Sequence, residues 1–307
     1  MIGRITNQMS SSMTLAGIES ALDRLDTTQQ ELSTGKRINQ PSDDPSGTGL
    51  TLQLNTQLSN LNTYSNNVTD ATGWTTASTS AMTDMTNAVQ RIRSLTVEAA
   101  NGSQNTADMQ ASAQEVNQLI DEIKQDANTQ YNGQYVFSGS ATGTAPYQSG
   151  SNDAYAGDNG TVTRQIGPGT SLAINANLGS VLGTGQTTSG QPAGDGQLLN
   201  TLRNISDAMQ SGDSTSLNSD LSSLDTNINS LTGVAAQAGA VTDRLQMAAS
   251  RIQTLQTSDT QVLSNTQGAD MASTEISYST QQAALTAALQ AGASIVQQSL
   301  MNFLGNN

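Results

Sequence analysis

Residues 13–36 have the sequence MTLAGIESALDRLDTTQQELSTGK, whose apolar spacing is typical of a long helix. Its large apolar residues recur at alternating spacings of three and four, with Gln29 filling the one remaining slot: Leu15, Ile18, Leu22, Leu25 and Leu32. Such a row is the seam of a coiled coil, because it keeps one apolar stripe turned toward a partner helix. Gly35 ends the pattern as a plausible helix C-cap. The segment therefore predicts a long helix that needs a partner.

The other end of the chain supplies a matching helix pattern at residues 271–304. One side carries Ile276, Ala283, Ala284, Ala287, Ala288, Ala291 and Ile295, and the other carries Leu285, Leu289, Gly292, Val296, Leu300 and Phe303. A helix that is apolar nearly all round needs partners on more than one side. We therefore expect the two ends to pair and also to contact other subunits. The predicted assembly interface consists of Leu15, Ile18, Leu22, Leu25, Leu32, Leu285, Leu289, Val296, Leu300 and Phe303.

Heptad patterns also fill both halves of the chain between its ends. Asp44 followed by Pro45 predicts an N-cap and first residue of a helix that ends at Asn101-Gly102. Its two predicted apolar rows contain Leu61, Val68, Met82 and Val89, and Tyr64, Ala71, Met85, Ile92 and Ala99. Further helices are predicted by Met109, Ala113, Val116, Ile120, Ile123 and Ala127, by Leu198, Leu202, Ile205 and Met209, and by a seam running from Leu217 to Ile252.

The period changes in residues 131–196, where four of the six tyrosines lie between Tyr131 and Tyr155. Strands are predicted at Gln134–Ser138, Thr161–Ile166 and Ser171–Asn177, a hairpin at Asp158–Gly160, and a turn at Gly167–Gly169. Residues 183–196 have the composition of a flexible linker. The predicted fold is mainly α with a β insert (α+β): a long antiparallel helical bundle or coiled coil formed by the N- and C-terminal halves, with a small central β-rich domain. The predicted domains are 1–45 with 266–307 for terminal assembly, 46–130 with 197–265 for a helical rod, and 131–196 for the insert.

Composition excludes several functional classes. The chain has 307 residues, a net charge of −14, and neither cysteine nor histidine. A charge of that sign argues against nucleic acid, and the two missing residue types remove disulfides, zinc–thiolate sites and histidine-based triads. We expect no enzyme activity, no cofactor and no metal site. The sequence also shows neither a secretory signal peptide nor a run of 18 apolar residues, which predicts no membrane insertion.

Two motifs resemble catalytic or metal-binding sequences, but each is better explained as part of a helix end. Ser33-Thr34-Gly35-Lys36 matches the S-x-x-K of serine acyl-transfer enzymes, but the S-D-N and K-T-G elements are absent. Asp43-Asp44 could offer two carboxylates to Ca²⁺, but no EF-hand spacing surrounds them. A helix end followed by a basic turn, and a helix cap, are the better accounts.

Longer stretches resemble a known family. Residues 32–45, LSTGKRINQPSDDP, are similar to flagellin-type axial proteins of bacteria, and most closely to the hook-associated protein 3 family. So are GQYVFSG at 133–139, TAPY at 144–147, YAGDNG at 155–160 and QSLMNFL at 298–304. The resemblance covers almost the whole chain.

The resemblance implies a structural subunit of the flagellum at the hook–filament junction. It implies terminal helices that pair in the tubular core, and export through the flagellar type III apparatus without a cleaved signal, to an extracellular location. The implied partners are a homo-oligomeric ring, hook-associated protein 1, flagellin and a flagellar export chaperone. We expect residues 1–45 and 266–307 to be weakly structured in the monomer and to fold on polymerisation.

Two other functions remain open at this point. The first is flagellin, the filament subunit, which differs in growing long filaments when seeded. The second is a secreted enzyme or adhesin whose insert binds sugar through Tyr147, Tyr155, Asp153, Asp158 and Arg164. The insert lacks paired carboxylates with an acid–base role.

Overall fold

The structure is a computed structural model that describes residues 2–102, 104–183, 187–188, 191–192 and 195–304, without the side chains of residues 2–8, 10, 187, 188, 191, 192, 295, 296 and 298–304. Helices dominate the described chain. They are α1 (Ile2–Thr34), α2 (Pro45–Ala100), α3 (Thr106–Ala127), α4 (Gly179–Leu182), α5 (Leu198–Ser211), α6 (Ser214–Gln267) and α7 (Met271–Leu304).

The strands are short and pair in twos within the described residues. They are β1 (Gln130–Tyr131), β2 (Gln134–Tyr135), β3 (Thr163–Gly167), β4 (Thr170–Ala173), β5 (Thr187–Thr188) and β6 (Gln191–Pro192). Each of the antiparallel pairs β1–β2, β3–β4 and β5–β6 joins neighbours along the chain. The prediction of a mainly α fold with a small β insert is confirmed.

Two compact units divide the chain: Met1–Asn60 with Leu255–Asn307, and Leu61–Thr254. The three-domain division predicted from the sequence stays a prediction, because these units do not test the boundary of the insert.

The core of the second unit follows the predicted heptads. Both rows of α2 are buried from Leu61 onward except Tyr64, which is partly buried, and every predicted apolar position of α3 and α5 is buried. On α6 the seam includes Leu217, Leu224, Leu231, Ala238, Leu245 and Ile252. It differs near its end, where Ala249 is exposed and Ala248 packs against the core. Trp74, which neither predicted row contained, is fully buried and meets Tyr131 edge-on at 6.4 Å between ring centroids.

The insert differs from its prediction in several places: its strands are shorter than predicted, and β5 and β6 lie within residues 183–196, which were predicted as a linker. Gly167–Gly169 does form the turn between β3 and β4, but Asp158–Gly160 is not a hairpin. The Asp158 carboxylate instead accepts hydrogen bonds from the backbone N–H groups of Ser140, at 2.6 Å, and Gly160, at 2.8 Å. The aspartate therefore makes a local turn with Gly160 and also joins it to residue 140, so these residues form a loop rather than a hairpin between two paired strands.

Three charged side chains tie the loop at 150–153 to the helices of the second unit. The Lys124 ammonium, 1% exposed, donates to Asp153 Oδ1 at 2.9 Å and to the carbonyls of Gly150 and Asn152. Arg203 from α5 donates to Asp153 Oδ2 at 3.0 Å and to the Gly150 carbonyl at 2.9 Å. The buried lysine is therefore fully hydrogen-bonded, as a buried charge must be.

Candidate functional site: the terminal helix pair

The first unit is built around α1 and α7, which pack against each other. A Cβ placed on Gly292 would lie 3.3 Å from Ile18 and 3.4 Å from Thr14, while Lys36 pairs with Gly268. Higher residue numbers on the α1 side thus lie beside lower residue numbers on the α7 side, so the two helices are antiparallel. The predicted pairing of the two ends is present in the single chain.

The buried row of α1 shares every second position with the predicted seam and differs from it by one residue at the positions between them. Its less exposed positions alternate by four and three: Thr14, Ile18, Ala21, Leu25, Thr28 and Leu32. A matching row on α7 contains Thr274, Tyr278, Gln281, Leu285, Ala288 and Gly292. Small and polar side chains at alternate positions allow close approach of the two backbones, so the seam is narrow.

The predicted assembly residues fall into three groups. Ile18, Leu25, Leu32 and Leu285 are partly buried in the rows just described. Leu15, Leu22 and Leu289 are 59%, 48% and 51% exposed. Val296, Leu300 and Phe303 belong to α7, but their side chains lie outside the described residues.

An uncovered apolar surface follows from this arrangement. Besides these three leucines, it includes Met9 and Met13 on α1, and Met271 and Ile276 on α7, all between 47% and 69% exposed. Isolated exposed apolar residues are ordinary, but a series along paired helices indicates an interaction surface. Because Met9 and Met13 do not share a side of α1 with the two exposed leucines of that helix, we call only the three exposed leucines the open face.

A short backbone pairing joins the base of the two helices. The Arg37 N–H donates to the Gln267 carbonyl at 2.7 Å, and the Ala269 N–H donates to the Gly35 carbonyl at 3.0 Å. We call residues 35–38 with 266–269 the clasp. The Arg37 guanidinium adds a bond to the Thr266 carbonyl at 3.0 Å and one to Asp44 at 3.4 Å.

Two glycines make the clasp possible. Gly35 has a φ of +67°, the left-handed conformation that terminates helices, as predicted for this position. Gly268 approaches the preceding turn so closely that a Cβ there would lie 2.5 Å from the Ser264 carbonyl oxygen. The sequence patterns did not reveal the clasp. The only available signal was a glycine between two helix patterns, followed by Asp270, whose carboxylate accepts from the Ala272 N–H at 3.1 Å.

Of the two aspartates of the connecting turn, Asp44 caps α2 as predicted, whereas Asp43 caps no helix and instead bonds the backbone of the turn itself. Asp44 accepts from the Gly47 N–H at 2.8 Å at the start of α2, and Asp43 accepts from the N–H groups of Asn39 and Gln40 at 2.9 Å each. These backbone donors, Gln40 first for Asp43 and Gly47 first for Asp44, hold the pKa of each carboxyl below its usual value. Within the described residues, no group of three or more acidic side chains is placed to bind a metal ion.

The residues proposed as a sugar site are occupied by internal contacts. Tyr147 is 1% exposed and donates to the Gly183 carbonyl at 2.7 Å, and Tyr155 donates to the Phe137 carbonyl at 2.8 Å. Asp153 and Asp158 hold loops as described above, and Arg164 pairs with Asp70 at 2.8 Å. These contacts give each of the five side chains a structural role.

The pairing of helices from the two ends of the chain defines a class of mainly helical proteins with a small β insert. Residues 5–142 match the family described as bacterial flagellin N-terminal helical region.

Among the described helices, none combines the length and the apolar character that a membrane span requires.

The curated proteins to which the chain is similar are flagellar proteins. The chain is 34% identical to polar flagellin F of Vibrio parahaemolyticus over 43% of this chain and 35% of that protein. It is 27% identical to flagellar hook-associated protein 3 of Salmonella typhimurium over 63% of this chain and 61% of that protein. It thus covers less than two thirds of the length of either relative.

A solved structure of hook-associated protein 3 from Legionella pneumophila superimposes with a TM-score of 0.59 at 15% identity, covering 69% of this chain and 98% of that one. Solved structures of this kind share the fold of the chain. The N-terminal part of the chain thus matches the flagellin N-terminal helical region, and the chain is similar in sequence both to flagellins and to hook-associated protein 3.

Proposed function

We propose that the chain is a structural subunit of the bacterial flagellum that joins the hook-side protein to the flagellin filament. The observation that carries the proposal is the open face of α1 and α7, with Leu15, Leu22 and Leu289 about half exposed. The role is mechanical, so it requires a surface that neighbours cover rather than a catalytic group.

The energetics favour a surface completed by neighbours. Full burial of a leucine side chain stabilises the folded or assembled state by about 1.5–3 kcal/mol. The narrow α1–α7 seam buries few large side chains, so much of this stabilisation is available only on assembly. Ordering the helix ends costs conformational entropy, and neighbours that cover the open face offset that cost. We therefore propose 1–45 and 266–307 as the assembly segment, with 46–130 plus 197–265 and 131–196 as the two further domains.

The proposed partners follow from the junction role. A homo-oligomeric ring would cover the open face, with hook-associated protein 1 on one side, flagellin on the other, and an export chaperone before assembly. The proposal includes export without a cleaved signal and an extracellular position in the flagellum. Its support is the likeness to hook-associated protein 3, which extends over more of this chain than the likeness to polar flagellin F.

A deletion strain tests this role. Cells that lack the gene should keep hooks but release flagellin into the medium, and a plasmid copy should restore attached filaments. Filaments that stay attached in the deletion strain would overturn the junction role.

Seeded growth separates the junction protein from the flagellin alternative. Purified protein added to filament seeds should cap them without elongating them, whereas a flagellin would grow long filaments. Loss of glycan or cell binding on removal of residues 135–190, with assembly intact, would instead favour an adhesin.

A further inference from the structure

The chain contains three Asn-Gly pairs, and their surroundings differ. They are Asn101-Gly102 after α2, Asn132-Gly133 between β1 and β2, and Asn159-Gly160 in the insert. In such a pair the glycine backbone nitrogen can attack the asparagine side-chain carbonyl, because no glycine Cβ obstructs the approach. We propose that Asn101 is a site of spontaneous deamidation in the folded protein and that the other two pairs are protected by the fold.

The proposed chemistry is balanced and needs only water. The Gly102 nitrogen forms a bond to Cγ of Asn101, the Cγ–Nδ2 bond breaks, and ammonia leaves with the proton from the Gly102 nitrogen. Water then opens the succinimide ring at either carbonyl, giving an aspartyl or an isoaspartyl residue. No electron is transferred, so no oxidant or reductant is required.

At Asn101 little structure resists this attack. Asn101 and Gly102 are both exposed and follow the last residue of α2. The Gly102 N–H makes only a long bond of 3.4 Å to the Ala99 carbonyl. Rotation of the Asn101 backbone toward the reactive geometry therefore gives up one weak hydrogen bond at a helix end, where fraying is inexpensive.

At Asn132 the same rotation has to distort a hairpin. Asn132 and Gly133 form the two-residue turn between β1 and β2, with φ values of +50° and +76°. The flanking pairs Tyr131–Gln134 and Gln130–Tyr135 fix the turn on both sides. Although both residues are exposed, reaching the reactive geometry breaks the turn that this pair of residues is suited to make.

At Asn159 both reacting groups are held by hydrogen bonds. The Asn159 side-chain oxygen accepts from Asn177 Nδ2 at 2.7 Å, and the Gly160 N–H donates to Asp158 Oδ1 at 2.8 Å. The Gly160 carbonyl accepts from Asn175 Nδ2 at 2.9 Å. Attack requires release of these bonds, so the folded structure should slow the reaction at Asn159 by at least about tenfold relative to Asn101.

The product has a defined electrostatic consequence. It adds a negative charge to a chain of net charge −14. The charge lies at the C-terminal end of α2, where the helix dipole disfavours an anion. Deamidation should therefore destabilise the last turn of α2. This effect does not depend on the proposed assembly role.

Peptide mass spectrometry over a time course at mildly alkaline pH tests the proposal on the full chain, once folded and once in urea. In the folded protein, isoaspartyl product should accumulate first at Asn101, then at Asn132, and last at Asn159, while urea should bring the three rates together. The variant N101Q should remove the first product, because its longer side chain does not form the five-membered ring. Product at Asn159 as early as at Asn101 in the folded protein, or none at Asn101 while the urea sample reacts, would overturn it.

Discussion

The α1–α7 pair and the core of the second unit use the same heptad spacing with opposite outcomes. In the second unit, α2, α3 and α5 bury nearly every large residue of their predicted rows, and Met82, Met85 and Ile120 are fully buried. On α1, Leu15 and Leu22 remain about half exposed, while Ala21 and Thr28 take the inner positions. One unit completes its core within the chain, and the other keeps large side chains available for neighbours.

The largest expected effect comes from opening the completed core. W74A removes a fully buried side chain that meets Tyr131 edge-on, and it should lower the free energy of unfolding by about 3–5 kcal/mol. Urea denaturation measures the change. L22A, on the open face, should change stability by less than about 0.5 kcal/mol, and similar losses in the two variants would erase the distinction between the regions.

A second difference concerns ion pairs inside the second unit. D153A leaves the buried Lys124 ammonium without its carboxylate and should cost about 3 kcal/mol. R91A breaks the exposed pair with Glu115, which joins Arg91 Nε and Glu115 Oε1 at 2.7 Å, and should cost less than about 1 kcal/mol. Thermal unfolding of both variants measures the two losses of stability. Equal decreases in unfolding temperature would contradict the expected difference.

The clasp should stabilise the folded conformation of α1 and α7. G268A places a Cβ against the Ser264 carbonyl oxygen, an overpacking that should cost about 1–3 kcal/mol locally. Hydrogen exchange of α1 and α7 should therefore accelerate. G233A is the matched control, since nothing lies within 4 Å of its new Cβ, and it should leave exchange in α1 and α7 unchanged. Unaltered exchange in G268A would show that the clasp does not stabilise the terminal helices.

The smallest effect concerns Asp126 at the end of α3. Burial, with the nearby charges of Asp84 and Glu122, raises the pKa of Asp126 from 3.8 to about 6. A raised pKa stabilises the folded state fully below pH 3.8, and that contribution is lost as the pH rises through about 6. D126N should thus unfold at a higher temperature than the parent above pH 6, with the difference shrinking as the pH falls. A difference that is constant with pH would contradict this sign.

Sequence periodicity predicted the second unit well, because there each large residue of a heptad row has a partner helix in the same chain. It predicted α3 and α5 residue by residue. On α1 it placed Ile18, Leu25 and Leu32 in the seam, where the structure has them. It misplaced the positions between them by one residue, since periodicity favours the largest residues, and Leu15 and Leu22 are left uncovered. The clasp was missed because backbone pairing leaves no side-chain pattern, and the Asp158 loop was mistaken for a hairpin because both use the same turn residues.

The open face is tested most directly by the double variant L15S/L22S, introduced into a strain that lacks the gene. We predict that its unfolding free energy matches that of the parent protein within about 0.5 kcal/mol, while the cells release flagellin as the deletion strain does. I18S should differ by also losing protection from exchange in α1, because Ile18 packs beside Gly292. Attached filaments and normal motility with L15S/L22S would contradict the account.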